Sequence, residues 1–189
     1  MKRILNTLLP VLLLCFALSS CDYRQYAEAE YPDNLVYQTL AQDGILKINS
    51  APTVSEYTAA PGSAVPFYLD EARGKLVINM GVVQSGIELR PCKVELSYDK
   101  SAVNKQLASG ELGYGTVALK ESALSFPHHL EFDGASTSYQ LEISTNAFVS
   151  DEYYGKKLLT AVKVYGEDIR VNPDLQTVVI LIDPAFLLK

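Results

Sequence analysis

The fold this sequence predicts is an all-β sandwich, and three observations predict it. Short runs alternating apolar and polar residues recur at regular spacing along the chain. Turn signals rich in Gly, Pro and Asp part them, and helical signal is confined to two short pieces.

The elements follow in order. Leu35-Val36-Tyr37 and Ile45-Leu46-Lys47-Ile48 are short apolar runs separated by the turn dipeptide Asp43-Gly44. Residues 50–66 hold Pro52, Pro61, Gly62 and Pro66, and a proline gives no N–H to a ladder, so this stretch reads as a loop or edge segment. Lys75 to Val83 (KLVINMGVV) is a clear strand. Leu76, Ile78, Met80 and Val82 share the face expected toward the core, with Val77, Asn79 and Gly81 on the other. Lys93 to Tyr98 alternates in the same way, with Val94, Leu96 and Tyr98 inward. Next comes a helix of about two turns, Ala102 to Ala108, capped by Asp99 or Ser101 and closed by Gly110. Strands resume at Thr116–Lys120, Leu124–Phe126 and His129–Phe132, and Asp133-Gly134 turns the chain into Tyr139–Ser144. A second helical turn is expected within Asn146–Tyr154. Lys157–Tyr165 and Thr177–Asp183 end the fold, the last apolar enough for a strand covered on both faces.

The N-terminus carries a different signal. Lys2 and Arg3 precede an apolar run from Ile4 to Leu18, too short to span a bilayer comfortably and placed where a secretory signal belongs. Leu18-Ser19-Ser20-Cys21 resembles the lipobox of bacterial lipoproteins, which implies acylation of Cys21 after removal of residues 1–20. Residues 21–33, acidic and without clear period, read as a tether, and residues 34–189 as the sandwich domain. The scattered acids after Cys21 resemble the signal that sends some lipoproteins to the outer face of the outer membrane.

The formal net charge is −6 and becomes more negative by two once Lys2 and Arg3 leave, which argues against a nucleic-acid partner. Cys15 leaves with the signal and Cys21 takes lipid, so Cys92 is a lone thiol, read as small and buried. No Cys or His cluster has zinc-ligand spacing, and neither metal nor cofactor is expected.

Four stretches carry a family resemblance: Asn79-Met80-Gly81-Val82-Val83-Gln84-Ser85-Gly86; Val94-Glu95-Leu96-Ser97-Tyr98-Asp99 leading to Val103-Asn104; Ser122-Ala123-Leu124-Ser125-Phe126-Pro127 with the turn Asp133-Gly134-Ala135-Ser136; and Gly155-Lys156-Lys157-Leu158-Leu159-Thr160-Ala161-Val162-Lys163-Val164. Together they resemble the domain-of-unknown-function family 1735, an immunoglobulin-like module of exported lipoproteins encoded in bacterial glycan-utilisation gene clusters. The likeness covers roughly Tyr31 to Asp183. It implies an immunoglobulin-like antiparallel β-sandwich at the cell surface, serving a polysaccharide-uptake system. Family members often have Leu-Pro where this chain has Leu159-Thr160. They also often carry a second domain, such as a glycosidase or a carbohydrate-binding module, that this chain is expected to lack.

Candidate sites are few. His128 and His129 are adjacent in an extended segment and point to opposite faces, so they are not expected to share a metal or a substrate proton. Glu131 with Asp133, or Asp151 with Glu152, would supply the paired carboxylates of glycoside hydrolysis, yet acids on β surfaces are ordinarily just solvated. Asp99, Ser101 and Asn104 do not meet the EF-hand spacing, and capping explains them better. Tyrosine is in excess, with twelve and no tryptophan. Sugars pack C–H patches on aromatic faces, and Tyr114 between two glycines and Tyr153-Tyr154 before Gly155 sit in loops able to present a ring. The expected function is non-catalytic: a lipid-anchored surface protein that binds glycan at Tyr114, Tyr153 or Tyr154, or assists its uptake. The alternative is a structural or adhesive lipoprotein whose sandwich contacts another protein.

Overall fold

The computed structural model describes residues 34–59, 65–87 and 89–187. Its strands are β1 (Leu35–Gln38), β2 (Ile45–Ile48), β3 (Phe67–Asp70), β4 (Lys75–Ser85), β5 (Cys92–Tyr98), β6 (Thr116–Ala118), β7 (Leu124–Ser125), β8 (His129–Phe132), β9 (Ser136–Ser144), β10 (Lys157–Gly166), β11 (Arg170–Val171) and β12 (Thr177–Ile182). The first sheet has the order β11-β1-β4-β9-β7, with β3 also beside β4. The second has the order β2-β12-β10-β5-β8, with β6 also beside β10. The chain changes sheets at every step except β3 to β4 and β5 to β6. With β1-β4-β9-β7 facing β12-β10-β5, the arrangement is an immunoglobulin-like sandwich.

The two longest strands organise the sheets because each takes two partners on one edge. β4 holds β3 along Lys75–Ile78 and β1 along Val82–Ser85, while β9 fills its other edge. β10 holds β6 along Lys157–Leu159 and β5 along Val162–Gly166, while β12 fills the opposite side. Most pairings are antiparallel, as expected. Three short ones are parallel: β1 with β11, β6 with β10, and β2 with β12. The segment Asp43-Gly44 is no hairpin. A 3-10 turn, Thr39–Asp43, carries the chain from the first sheet to the second, so β1 and β2 never pair.

Alternation sets the core. Leu76, Ile78, Met80 and Val82 of β4 meet Tyr139, Leu141 and Ile143 of β9, and across the sandwich Val94 and Leu96 of β5 with Val178, Ile180 and Ile182 of β12. Burying each such aliphatic side chain contributes about 1.5–3 kcal/mol. β10 is covered on both faces. Leu158, Val162 and Val164 join the main core, whereas Leu159 and Ala161 form a second cluster with Val103 of the helix Lys100–Ser109. Asp99 caps that helix by accepting from Ala102 N at 2.9 Å, so Ser101 lies inside it. An unexpected helix, Val54–Ala59, interrupts the proline-rich stretch. It begins with a capping box: Thr53 N donates to Glu56 Oε2 at 2.7 Å, and Glu56 N donates to Thr53 Oγ1 at 3.4 Å. The helical turn expected after Asn146 shrinks to Thr145–Phe148.

One buried polar group links the sheets. Gln38, fully buried at the end of β1, donates from Nε2 to Val162 O (2.9 Å) and Gln176 O (2.8 Å). Its Oε1 accepts the Tyr139 hydroxyl at 2.7 Å, and burial pushes that phenol's pKa well up. Tyr139→Phe strips the buried Oε1 of its donor and is expected to lower stability by about 1–2 kcal/mol. A urea midpoint equal to wild type would show that the amide carries no such strain.

Candidate functional site

Two loops meet at the end of the sandwich remote from Leu35. Lys157 N donates to Gly115 O at 3.1 Å, which seats the turn around Tyr114 beside the loop that follows Phe148. Gly113 and Gly115 have φ of 79° and 84°, a region that side chains disfavour, and this backbone thrusts Tyr114 fully into solvent. Tyr154 and Val149 project from the neighbouring loop, 63% and 54% exposed.

Tyr153 departs from expectation. It is buried in the main core, 5% exposed, and its phenol oxygen accepts from Lys120 N at 3.2 Å. The loop is wound here, since Tyr153 N and Tyr154 N both donate to Ser150 O (3.0 and 2.9 Å). Winding turns consecutive side chains by roughly 100°, so one ring goes in and the next goes out. Tyr153 is therefore corrected from a presented ring to a core residue. The rim is fixed by Lys120 on Glu152 at 2.7 Å and by Lys156 Nζ on Glu152 O at 2.8 Å.

The outer face of the first sheet holds a second aromatic group that sequence reading missed. The rings of Tyr57 and Tyr68 lie 4.8 Å apart. Asn79 donates to the Tyr57 hydroxyl at 3.0 Å, and Gln140 donates to Asn79 Oδ1 at 3.1 Å. The outward place of Asn79 in the Lys75–Val83 alternation was the available signal. Beyond it Glu142 accepts from both Lys75 and Arg73, and these hydrogen bonds hold its carboxyl below the usual range.

The remaining candidates do not converge. His129 Nδ1 lies 3.0 Å from Glu167, whereas the His128 ring leans on Phe126, 5.4 Å between centroids. Glu131 is paired with Lys93 at 2.6 Å, and Asp133 lies in the turn after β8. An open cavity of 460 Å³ is lined by Glu121, Ser122, Leu124, Ser125, Phe126 and His128. Cys92 is 2% exposed, and burial, with Asp168 adding to it, pushes its thiol pKa up. Among the described residues no three His, Cys, Asp or Glu side chains are grouped to hold a metal ion, and no helix is long and apolar enough to cross a membrane. Cys21 lies outside the described residues.

Two predictions follow from these placements. Tyr153→Ala should cost about 3 kcal/mol through its core cavity, and Tyr154→Ala no more than about 0.5 kcal/mol, read as urea midpoints. Equal losses would contradict the inward and outward assignment. For Glu142, a lowered folded pKa means stability present above the unfolded value near 4.5 and lost as pH falls through the lower folded one. The midpoint gap between wild type and Glu142→Gln should therefore be widest at neutral pH and close below about pH 4.

No protein-family model matches the sequence, and no curated protein matches it. Solved structures do. A candidate carbohydrate-binding protein from Bacteroides ovatus superposes with a TM-score of 0.53 at 9% identity, over 79% of this chain and 36% of its own. A two-domain protein of unknown function from Bacteroides fragilis gives 0.53 at 11% identity, over 87% and 49%. A multidomain protein including DUF1735 from Bacteroides ovatus gives 0.44 at 10% identity, over 74% and 38%, a score too low to carry argument. The chain spans half or less of each of these proteins, and at such identities the likeness establishes the fold: an all-β sandwich shared with Bacteroides proteins of carbohydrate-binding or unknown assignment.

Proposed function

We propose that this chain is an exported lipoprotein, acylated on Cys21, whose sandwich binds glycan or serves as an accessory of a polysaccharide-uptake system on the outer membrane, without bond-breaking of its own. The observation that carries this reading is the pair of exposed rings, Tyr114 and Tyr154, on adjoining loops at one end of a rigid scaffold. A sugar ring offers C–H faces to such aromatics, and Asp151, exposed on the same loop as Tyr154, offers a partner for hydroxyls. The fold shared with a candidate carbohydrate-binding protein supports the same reading, as does the sequence resemblance to domain-of-unknown-function family 1735. A protein partner is the second reading, favoured by Val149, an aliphatic side chain exposed beside Tyr154.

Affinity electrophoresis of the mature protein through gels cast with a polysaccharide panel tests it. Wild type should be retarded by at least one polysaccharide, and each of Tyr114→Ala and Tyr154→Ala should weaken retardation about fivefold, the equivalent of about 1 kcal/mol per ring. Free migration through every gel, together with co-purification of a protein, would reverse the two readings.

A further inference from the structure

The loop between β4 and β5 presents two large aliphatic side chains to solvent, Ile87 at 65% and Leu89 at 44% exposure. Its position in the fold gives them meaning. Leu35 pairs with Ser85, and the Asn34 side chain lies against Gly86, so the chain joins the sandwich at the root of this loop. Gly86 takes φ of 120°, and a Cβ there would sit 1.7 Å from Asn34 Oδ1, which makes this contact one that only glycine allows. We propose that this loop docks on the lipid bilayer, with Ile87 and Leu89 as its contacts. The inference rests on the acylation of Cys21 proposed above.

Three features support a bilayer as the occupant. The first is reach. Twelve residues separate Cys21 from Asn34, a length that reaches at most about 45 Å, and the chain enters the sandwich at this end, so a lipid on Cys21 would hold this end nearer the membrane. The end bearing Tyr114 and Tyr154 stands about 30 Å away, the length of β10. The second is stiffness. Arg90 N donates to Gln84 Oε1 at 3.3 Å, its guanidinium donates to Asp168 O at 2.7 Å, and Pro91 follows. With Gly86 against Asn34 and Arg90 tied on both sides, Ile87 and Leu89 leave from anchored neighbours and lose little freedom on entering the interface. The third is charge. Ile87-Glu88-Leu89-Arg90 holds one acid and one base, which suits a zwitterionic headgroup layer and makes apolar burial, not anionic lipid, the attraction.

The test uses the full acylated chain on phosphatidylcholine vesicles, with an environment-sensitive fluorophore on Ile87→Cys and, separately, on Tyr154→Cys. Cys92 is buried and does not compete for label. The label at position 87 should shift to the blue and lose about two-thirds of its iodide quenching when vesicles are added, whereas the label at 154 should not change. Raising salt from about 0.05 to about 0.5 M should leave the shielding intact, because screening weakens charge attraction and not apolar burial. Adding Leu89→Asp to the position-87 variant should abolish it. Equal quenching at 87 and 154 on vesicle-bound protein overturns the docking and leaves the anchor standing. Protein that does not stay on vesicles overturns anchor and docking together, without touching retention on polysaccharide. Shielding at 87 without vesicles, accompanied by dimerisation in ultracentrifugation, overturns the bilayer in favour of a second copy.

Discussion

The Gln38 amide is the constraint on which the two-sheet arrangement depends. Apolar burial drives the sheets together but is non-directional and does not choose a register. Gln38 does. From β1 in the first sheet its side chain reaches Val162 O on β10 of the second and Gln176 O just before β12, and the hydroxyl of Tyr139, on β9 of its own sheet, closes the third bond. Its own backbone N donates to Leu175 O at 3.0 Å, so main chain and side chain grip one segment. Inside a low-dielectric core a satisfied amide is strongly held and an unsatisfied one is costly. A slide of one sheet over the other would strand these groups together. The fixed point also sits where the chain leaves the first sheet through the turn Thr39–Asp43, which is why one short opening segment can serve both sheets.

Much of this was legible in the sequence, and the reason is length. β4 and β9 alternate over six residues or more, which marks their buried faces, β10 and β12 are long apolar runs, and the Asp99 cap and Gly110 stop bracket a helix found where expected. β3 and β11, four and two residues long, give too few positions for a period to show. The helix Val54–Ala59 was hidden by the prolines around it, although Thr53-Val54-Ser55-Glu56 is a capping-box signature in plain view. Parallel pairings such as β2 with β12 could not be read, because a partner distant in sequence leaves no local mark. Gln38 was invisible for a related reason. A glutamine at a strand's end reads as its polar boundary until the facing carbonyls are known.

The candidate site divides along the same line. Tyr114 was identifiable because its flanking glycines are a local signal. Tyr153 and Tyr154 were not separable, because an irregular loop has no period to say which ring turns inward. The Tyr57 and Tyr68 pair went unnoticed because one ring belongs to the unrecognised helix and the other to an unrecognised strand. These placements also bear on where recognition can occur. The outer face of the second sheet is covered in part by the helix over Leu159 and Ala161. On the first sheet Tyr57 is already hydrogen-bonded to Asn79, and Glu142 is saturated by Lys75 and Arg73. Groups that satisfy one another have less to offer a ligand than Tyr114 and Tyr154, whose rings meet only water on their exposed sides.

On the readings proposed above, one scaffold would join two weak contacts, a glycan at one end and a bilayer at the other. On a tethered molecule each contact acts at the effective concentration the tether imposes, in the millimolar range for short linkers, so neither needs high intrinsic affinity. Two aliphatic side chains would be too few to bring a free protein to a bilayer, but on an acylated chain they need only bias its orientation. That bias has a consequence at the other end. β10 runs between the two ends of the sandwich, so fixing the loop beside Asn34 on a bilayer would point the rings of Tyr114 and Tyr154 away from it. A recognition surface made of two exposed rings, as proposed above, would gain from this, since a ring held toward the medium is not lost to competing contact with lipid, where tyrosine itself partitions readily.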